Sequence, residues 1–202
     1  MELICVRHGR TAWNAAKRFQ GHTDVPLDDE GRAQARALAQ LLRSERIDVA
    51  VTSDLVRARQ TAEIVLATHD LTPRIDPGWR EMRFGAWEGL TWTEITARYP
   101  ELDAANETAP RAYTPDGGES FDELCARVAA ATDRVVAEMP AGGCALIATH
   151  AGPLHALLRV LLADEGSPAL SIRFLTASVT RFVRSGERWR LGRLNQTAEA
   201  VR

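Results

Sequence analysis

Two short apolar runs, each followed closely by a histidine, constrain the fold of this chain more than any other feature of its sequence. The first run, residues 3–6, is followed by Arg7 and His8, and the second run, residues 144–148, is followed by Thr-His at 149–150. Each run is typical of a buried strand. Ligands of open α/β sheets bind beyond the carboxyl ends of the strands, so we expect both histidines in one crevice.

Strand-like and helical segments alternate along most of the chain. Apolar spacing and capping residues predict the following elements: helices over about 29–43, 53–68 and 120–138 and another from 153, a strand over about 47–52, and a hairpin of strands 178–184 and 188–194. This order predicts an α/β fold, a three-layer α/β/α sandwich with a largely parallel central sheet. The helix over 29–43 is expected to bury one apolar face, made of Ala33, Ala37, Leu38, Leu41 and Leu42.

The length of 202 residues and the apolar content of 45% fit one domain, so we interpret residues 1–202 as a single unit. Between about 100 and 118 the apolar periodicity stops, and prolines and glycines collect. We interpret residues 100–118 as a surface excursion, and a lid is one use that the sequence leaves open.

Composition excludes several classes of protein. No apolar run approaches the ~20 residues that span a bilayer, and the first residues do not resemble a secretion signal, so we expect a cytoplasmic protein without a membrane partner. A net charge of −2 argues against nucleic acid as a partner. The histidine and cysteine spacings match no metal motif, and no glycine-rich phosphate loop follows a strand, so we expect neither a metal nor another cofactor. The sequence leaves a homodimer open.

The residues after the first strand suit the chemistry of a phosphate ester. Neutral imidazole offers a nucleophilic nitrogen near pH 7, so His8 is the candidate nucleophile. Arg7, Arg57 and His150 are the candidates for the positive groups around the phosphate oxygens. The expected partner is therefore a small phosphorylated molecule.

The candidate proton donor lies in the segment 80–89, where two carboxylates flank aromatic residues. We favour Glu81 over Glu88, because an apolar surrounding and a nearby dianionic ester both stabilise the protonated carboxyl group. The competing interpretation is a surface glutamate that pairs with Arg80 or Arg83.

Several motifs follow one another in a fixed order along nearly the whole chain. They are Val-Arg-His-Gly-Arg-Thr at 6–11, Trp-Asn at 13–14, Gln-Gly at 20–21, Asp-Val-Pro-Leu at 24–27, Ser-Asp-Leu-Val-Arg-Ala-Arg-Gln-Thr-Ala at 53–62, the segment 81–89 and Thr-His at 149–150. In these motifs the chain resembles the histidine phosphatase superfamily, the group that includes the cofactor-dependent phosphoglycerate mutases.

The resemblance implies a role for each matching residue. His8 is then the phosphorylated nucleophile and Glu81 the proton donor, while Arg7, Arg57 and His150 surround the phosphate. The positions implied to line the substrate pocket are Asn14, Gln20 and Gly21, with Thr11 in the same loop. Ordinary loop capping is the competing interpretation of these four residues.

Two residues depart from the family pattern. Arg10 stands where Glu or Gln is frequent, and Ala151 stands where a second glycine often follows the histidine. Both belong to the predicted substrate-binding set. We expect the charge of Arg10 to favour substrates with a second anionic group.

The resemblance also bears on the reaction. The segment 81–89 lacks the Asn-Glu-Arg-His-Tyr-Gly form seen in mutases, and Pro-Asp-Gly-Gly-Glu-Ser at 115–120 is similar to a stretch of the phosphatase branches. We therefore predict a metal-independent phosphomonoesterase that acts on small organic phosphates through phospho-His8. A mutase and a non-catalytic module that binds phosphorylated ligands are the alternatives. The predicted apolar rim of the pocket is Trp13, Phe19, Trp87 and Trp92.

Overall fold

The computed structural model describes residues 1–102, 113–162 and 172–198, and it is built around a six-stranded sheet. The strands are β1 (Glu2–Arg7), β2 (Val49–Thr52), β3 (Arg74–Ile75), β4 (Cys144–Thr149), β5 (Val179–Ser185) and β6 (Arg188–Gln196). Their spatial order is β3-β2-β4-β1-β5-β6. The first four strands in this order are mutually parallel. Strand β5 pairs antiparallel with both of its neighbours, β1 and β6.

Helices cover both faces of the sheet. They are α1 (Ala12–Ala15), α2 (Asp29–Leu42), α3 (Val56–Leu66), α4 (Trp92–Arg98), α5 (Phe121–Glu138) and α6 (Ala151–Leu162), and short 3₁₀ turns occur at Pro77–Trp79 and Gly85–Trp87. Side chains of β1 alternate between the two faces: Leu3 and Cys5 pack with α5 and α6, whereas Ile4 and Val6 pack with α2 and α3. The predicted three-layer α/β/α fold is confirmed.

The predicted buried face of α2 is partly wrong. Ala33 and Ala37 are exposed, and the buried residues are Gly31, Ala35, Leu38, Ala39 and Leu42. Alanines occupy alternate positions from 33 to 39 and therefore lie on both faces of the helix, so they do not indicate which face is buried. The leucines decide the face, because they have the larger apolar area to bury.

The start of α3 also differs from the prediction. Ser53 is fully buried and does not cap a helix that starts beside it, since α3 begins only at Val56 with Leu55 at the N-cap. The Ser53 hydroxyl instead accepts a hydrogen bond from the amide of Leu55 at 3.2 Å. The three residues between β2 and α3 therefore form a turn at the carboxyl edge of the sheet.

Other predicted elements are confirmed. The capping box of Ser120 and Glu123 opens α5, and β5 and β6 form the expected hairpin. The helix predicted from 153 begins at Ala151. Most of the predicted excursion at 100–118 lies outside the described residues. Within the described ranges, no helix has both the length and the apolar character that crossing a bilayer requires.

The loop after β1 packs closely against the first turn of α2. A Cβ atom at Gly9 would overlap the carbonyl oxygen of Gly31, and a Cβ atom at Gly31 would overlap the carbonyl oxygen of Arg10. Both glycines are required because the two backbones touch. This contact fixes the loop that carries His8.

Alanine is normally the better helix residue by ~1 kcal/mol, yet Gly31→Ala is expected to destabilise the protein by about 1–3 kcal/mol, because the new methyl group overlaps backbone. Urea unfolding of the variant and the wild type measures the difference. Ala33→Gly, at an exposed position of the same helix, is the control and should cost ~1 kcal/mol. A Gly31→Ala variant more stable than the wild type would contradict this account of the contact.

Candidate active site

The two histidines that follow the predicted strands lie side by side. β1 and β4 are neighbouring parallel strands with Arg7 opposite Thr149, and the amide of His8 donates to the carbonyl of Thr149 at 3.0 Å. The ring centroids of His8 and His150 are 5.1 Å apart, with an angle of 58° between the ring planes. Both side chains are buried, and the sheet places them at its carboxyl edge.

A backbone contact determines which nitrogen of His8 is free. Nδ1 lies 2.7 Å from the carbonyl oxygen of Gly9, and because a carbonyl only accepts, Nδ1 carries the proton. Burial and the charges of Arg57 and Arg7 lower the pKa of His8 well below its ordinary value. The ring is therefore neutral at pH 7, and Nε2 keeps its lone pair without a partner among the described residues.

The second histidine is also held in one tautomer. Nε2 of His150 lies 3.0 Å from the hydroxyl of Ser53, and that oxygen already accepts from the amide of Leu55. Among the described residues the Ser53 hydroxyl has no other acceptor for its own proton. That proton therefore points to Nε2, and the ring proton resides on Nδ1. Nδ1 is buried and has no partner in the described part of the chain. Burial and Arg57 lower the pKa of His150, so at neutral pH it is an uncharged hydrogen-bond donor.

Arg57 is fully buried near the start of α3. Its Nη1 donates to the carbonyl of Thr23 at 2.9 Å, and its Nη2 donates to the carbonyl of Gly21 at 2.7 Å. Burial lowers its pKa to about 10, so the guanidinium remains charged at neutral pH. Carbonyl groups orient this cation but do not neutralise it, which leaves its charge available to an anion.

Arg7 is held in a similar way from the other side of the site. Its Nη1 donates to the carbonyl of Phe174, and burial lowers its pKa. The Nε atoms of Arg7 and Arg57 are both buried without a partner among the described residues. Unpaired buried donors on charged groups are costly, and an anion with several acceptor oxygens would satisfy them.

The buried carboxylate of Glu81 lies at the same site. Its Oε1 accepts hydrogen bonds from the amides of Gly152 at 2.8 Å and Met82 at 2.9 Å, whereas Oε2 has no partner among the described residues. A Cβ atom at Gly152 would overlap Oε1, so glycine is required beside this carboxylate. The arrangement leaves one carboxyl oxygen free to carry or receive a proton.

Glu88, the candidate that the sequence analysis placed second, is used differently. Its carboxylate accepts from the amides of His22 and Thr23, both at 3.0 Å, and from the Thr23 hydroxyl at 2.6 Å. It does not line the cavity around His8. Gly21 has a φ of +52°, and a Cβ there would overlap Glu88. Glu88 thus anchors the turn whose carbonyls orient Arg57.

A cavity of about 220 Å³ opens at this site, and neither His150 nor Glu88 is among its lining residues. It is lined by seven predicted site residues, Arg7, His8, Asn14, Gln20, Arg57, Glu81 and Ala151, and by Lys17, Arg18, Phe19 and Phe84. Of the predicted aromatic rim, Phe19 lines the cavity, whereas Trp13, Trp87 and Trp92 do not. Trp87 and Trp92 pack against Phe19 in an apolar cluster with Ile95. Four of the lining residues, Arg7, Lys17, Arg18 and Arg57, carry cationic side chains.

The remaining predicted substrate residues do not line this cavity. Arg10 is not among the lining residues, and it forms ion pairs with Asp28, at 2.8 Å, and with Glu30, which compensate its charge. Thr11 is fully buried, and its hydroxyl donates to Oε1 of Gln20 at 3.0 Å. Gly21, as described above, holds Arg57. The partners of Arg10, Thr11 and Gly21 are either distant in sequence or in irregular loops. Helix and strand periodicity therefore does not predict these contacts.

Lys17 is the functional candidate that sequence reasoning missed. It is the chain's single lysine, and it follows α1 with a left-handed φ of 53°. Such a position usually holds glycine or asparagine. Its place between Asn14 and Gln20, both predicted to face the pocket, was the signal in the sequence.

Within the described ranges, no group of three or more histidine, cysteine, aspartate or glutamate side chains is arranged to hold a metal ion. The donors around the cavity are instead mostly cationic or neutral, which suits an anion.

Comparison with known proteins places the chain in a family. The family model of the histidine phosphatase superfamily (branch 1) matches residues 3–197, and the chain belongs to this superfamily. A probable phosphoglycerate mutase GpmB of Yersinia pestis (strain Pestoides F) is 34% identical over 181 residues, which cover 90% of this chain and 84% of the relative.

Two solved structures similar to this one are phosphatases. A mycobacterial glucosyl-3-phosphoglycerate phosphatase in complex with VO3 is 32% identical, with a TM-score of 0.87 over 97% of this chain and 99% of the other. The alpha-ribazole phosphatase of Shigella flexneri is 30% identical, with a TM-score of 0.83 over 97% and 96%. These likenesses support an enzyme of the phosphatase type.

The two buried histidines should make stability depend on pH. Their folded-state pKa values lie below the unfolded value of about 6.5, so their contribution is complete above pH 6.5 and is lost as the pH falls below it. Each should reduce the free energy of unfolding by up to about 1.4 kcal/mol per pH unit. Urea unfolding between pH 7 and pH 5 measures this slope, and His150→Gln should make it shallower. Equal slopes in the variant and the wild type would contradict the assignment.

Proposed function

We propose that the protein is a metal-independent phosphomonoesterase that hydrolyses small organic phosphates through a phosphohistidine on His8. The observation that carries the proposal is the tautomer of His8, whose free Nε2 belongs to a ring lining the cavity between two incompletely paired guanidiniums. A neutral imidazole needs no metal and no partner base to become a nucleophile.

In the first step the lone pair of Nε2 attacks phosphorus, and the bond from phosphorus to the ester oxygen breaks. The ester oxygen takes the bonding electrons and receives a proton from Oε2 of Glu81, so the product leaves as an alcohol. Arg7, Arg57 and the Nδ1 proton of His150 stabilise the charge on the equatorial oxygens. The Gly9 carbonyl stabilises the positive charge that develops on the His8 ring.

In the second step water replaces the alcohol. The Glu81 carboxylate accepts a proton from the water, whose oxygen attacks phosphorus while the bond to Nε2 breaks. Inorganic phosphate leaves, His8 regains its lone pair, and Glu81 is protonated again. The cycle closes without an additional acid or base.

Mutase activity is the second candidate, favoured by the likeness to the Yersinia protein. A mutase passes the phosphoryl group from His8 to a second hydroxyl group of the substrate instead of to water. Both reactions share the first step and differ in the acceptor. A non-catalytic phosphate-binding module would use the same cations without forming the bond to Nε2.

The first test separates these three functions. With a chelator present, the wild type is expected to release phosphate from a panel of phosphomonoesters and to form an acid-labile, alkali-stable phosphoenzyme. His8→Ala should abolish both, because it removes the nucleophile. His69→Ala, outside the cavity, is the matched control and should retain both.

The same assay includes 3-phosphoglycerate with analysis of its isomers. Isomerisation without net phosphate release would make the protein a mutase. Phosphate binding without a labelled enzyme would leave only the binding module.

We further propose that the preferred substrate carries a second anionic group at its outer end. Lys17 lines the cavity, and its ammonium forms no ion pair with any residue in the described ranges. The neighbouring Arg18 is paired with Glu94 at 2.9 Å, so its charge is largely compensated. Besides the buried Arg7 and Arg57, the lining cation without an ion pair among the described residues is therefore Lys17, whereas Arg10 is paired and does not line the cavity.

The matched pair 3-phosphoglycerate and glycerol 3-phosphate tests this proposal, because the two differ by a carboxylate. Lys17→Met should lower kcat/KM for 3-phosphoglycerate by up to about fivefold relative to glycerol 3-phosphate, as expected for an exposed ion pair. Arg10→Gln should leave the ratio of the two values unchanged. The reverse pattern would restore the sequence-based assignment to Arg10.

A further inference from the structure

Glu81 lies in an irregular segment, residues 80–84, between two 3₁₀ turns. No neighbouring strand supplies backbone N–H donors to the carbonyl groups in this part of the chain, so side chains donate to them instead. Trp79 accepts from the hydroxyl of Thr149 at 2.8 Å, and Glu81 accepts from Nε2 of His22 at 2.9 Å. The backbone beside the proposed acid therefore depends on side-chain donors.

Arg127 of α5 supplies most of these donors. Its Nη1 donates to the carbonyls of Gly78 and Arg80, both at 3.0 Å. Its Nη2 donates to the carbonyl of Glu81 at 3.3 Å and to the carboxylate of Glu119 at 2.7 Å, and its Nε donates to the same carboxylate at 2.9 Å. These bonds occupy all five N–H donors of a guanidinium.

Glu119 extends the contact to the other end of the segment. Its buried carboxylate receives Arg127 through both oxygens and also accepts from the amide of Arg83 at 3.3 Å. The amide of Glu119 donates to the carbonyl of Arg83 at 2.9 Å. The ion pair thus forms hydrogen bonds with the backbone on both sides of Glu81, at residues 78–81 and at residue 83.

Neither member of the pair lines the cavity, and no donor of Arg127 is left for a substrate. Replacing a buried ion pair with apolar residues is often neutral for stability, so a stabilising role alone does not account for so many directed bonds. A carboxyl group that transfers a proton, by contrast, needs a fixed backbone, since an error of ~1 Å can reduce the rate ~10²-fold.

We propose that Arg127 and Glu119 are positioning residues that hold the backbone of Glu81 so that its free carboxyl oxygen reaches the leaving group. The inference rests on the proposed function of Glu81 as the proton donor. Lysine cannot replace Arg127, because one ammonium cannot reach three carbonyls and both oxygens of a carboxylate in this planar arrangement.

The leaving group provides the test. An alkyl phosphate needs a proton donor when its ester bond breaks, whereas p-nitrophenolate leaves without one, so loss of the acid affects alkyl substrates selectively. Arg127→Lys should lower kcat/KM for glycerol 3-phosphate about 10²-fold and for p-nitrophenyl phosphate only a few-fold. The ratio kcat/KM reports the first chemical step, whatever the rate of the second.

Glu81→Gln defines the expected signature and should show the same selectivity for alkyl substrates. Adding Arg127→Lys to Glu81→Gln should then change little, because residues that act through one group are not additive. Glu119→Gln keeps the shape of the side chain and should lower kcat/KM less than Arg127→Lys does, with the same selectivity for alkyl substrates. It tests the proposal even if Arg127→Lys does not fold.

Arg134→Lys is the matched control on the same helix. Arg134 pairs with Asp76 at 3.0 Å and lies beside Gly78, but within the described ranges it donates to none of the carbonyls that Arg127 holds, so this variant should react with both substrates like the wild type. Equal losses for both substrates in Arg127→Lys, with a selective loss in Glu81→Gln, would overturn the positioning role alone. An unselective Glu81→Gln would instead overturn the acid role of Glu81, and the inference with it.

Discussion

The parallel pairing of β1 with β4 is the contact on which the rest of the site depends. Because Arg7 lies opposite Thr149, the residues that follow, His8 and His150, leave the sheet side by side. Any other register would separate the two rings, since each step along a strand moves a side chain about 3.3 Å and reverses its face. The loop after β1 is then fixed against α2, where two glycines allow the backbones to touch.

Burying several positive or potentially positive groups together creates the second constraint. Arg57 has only carbonyl partners, and both imidazoles are kept neutral by burial and by the neighbouring guanidiniums. Buried donors of Arg7, Arg57 and His150 thus have no partner among the described residues, and Glu81 is the carboxylate that acts on both guanidiniums. A phosphate dianion would satisfy these donors and offset the remaining positive charge at once.

The sequence predicts the parts of this molecule that local rules govern. Strand ends, the capping box at Ser120 and the hairpin depend on neighbouring residues, and all were predictable. The choice of Glu81 over Glu88 agrees with their placement, since only Glu81 lines the cavity. Long-range partners were not predictable. Asp28 and Glu30 form ion pairs with Arg10 that compensate its charge, and the Ser53 hydroxyl contacts His150 instead of capping α3.

The site combines groups held by regular structure with one held by side chains. His8 and His150 follow strands, and Arg57 lies in a helix, so the fold itself fixes where their backbones run. Glu81, the proposed proton donor, has no such support, because it lies in an irregular segment beyond the sheet edge, between two 3₁₀ turns. Hydrogen bonds from Arg127 and Glu119 hold the backbone around Glu81, as backbone pairing holds a strand. The proposed general acid thus depends on a second, largely buried pair of charges. The helix that carries Arg127 packs against the sheet and so connects this pair to the core.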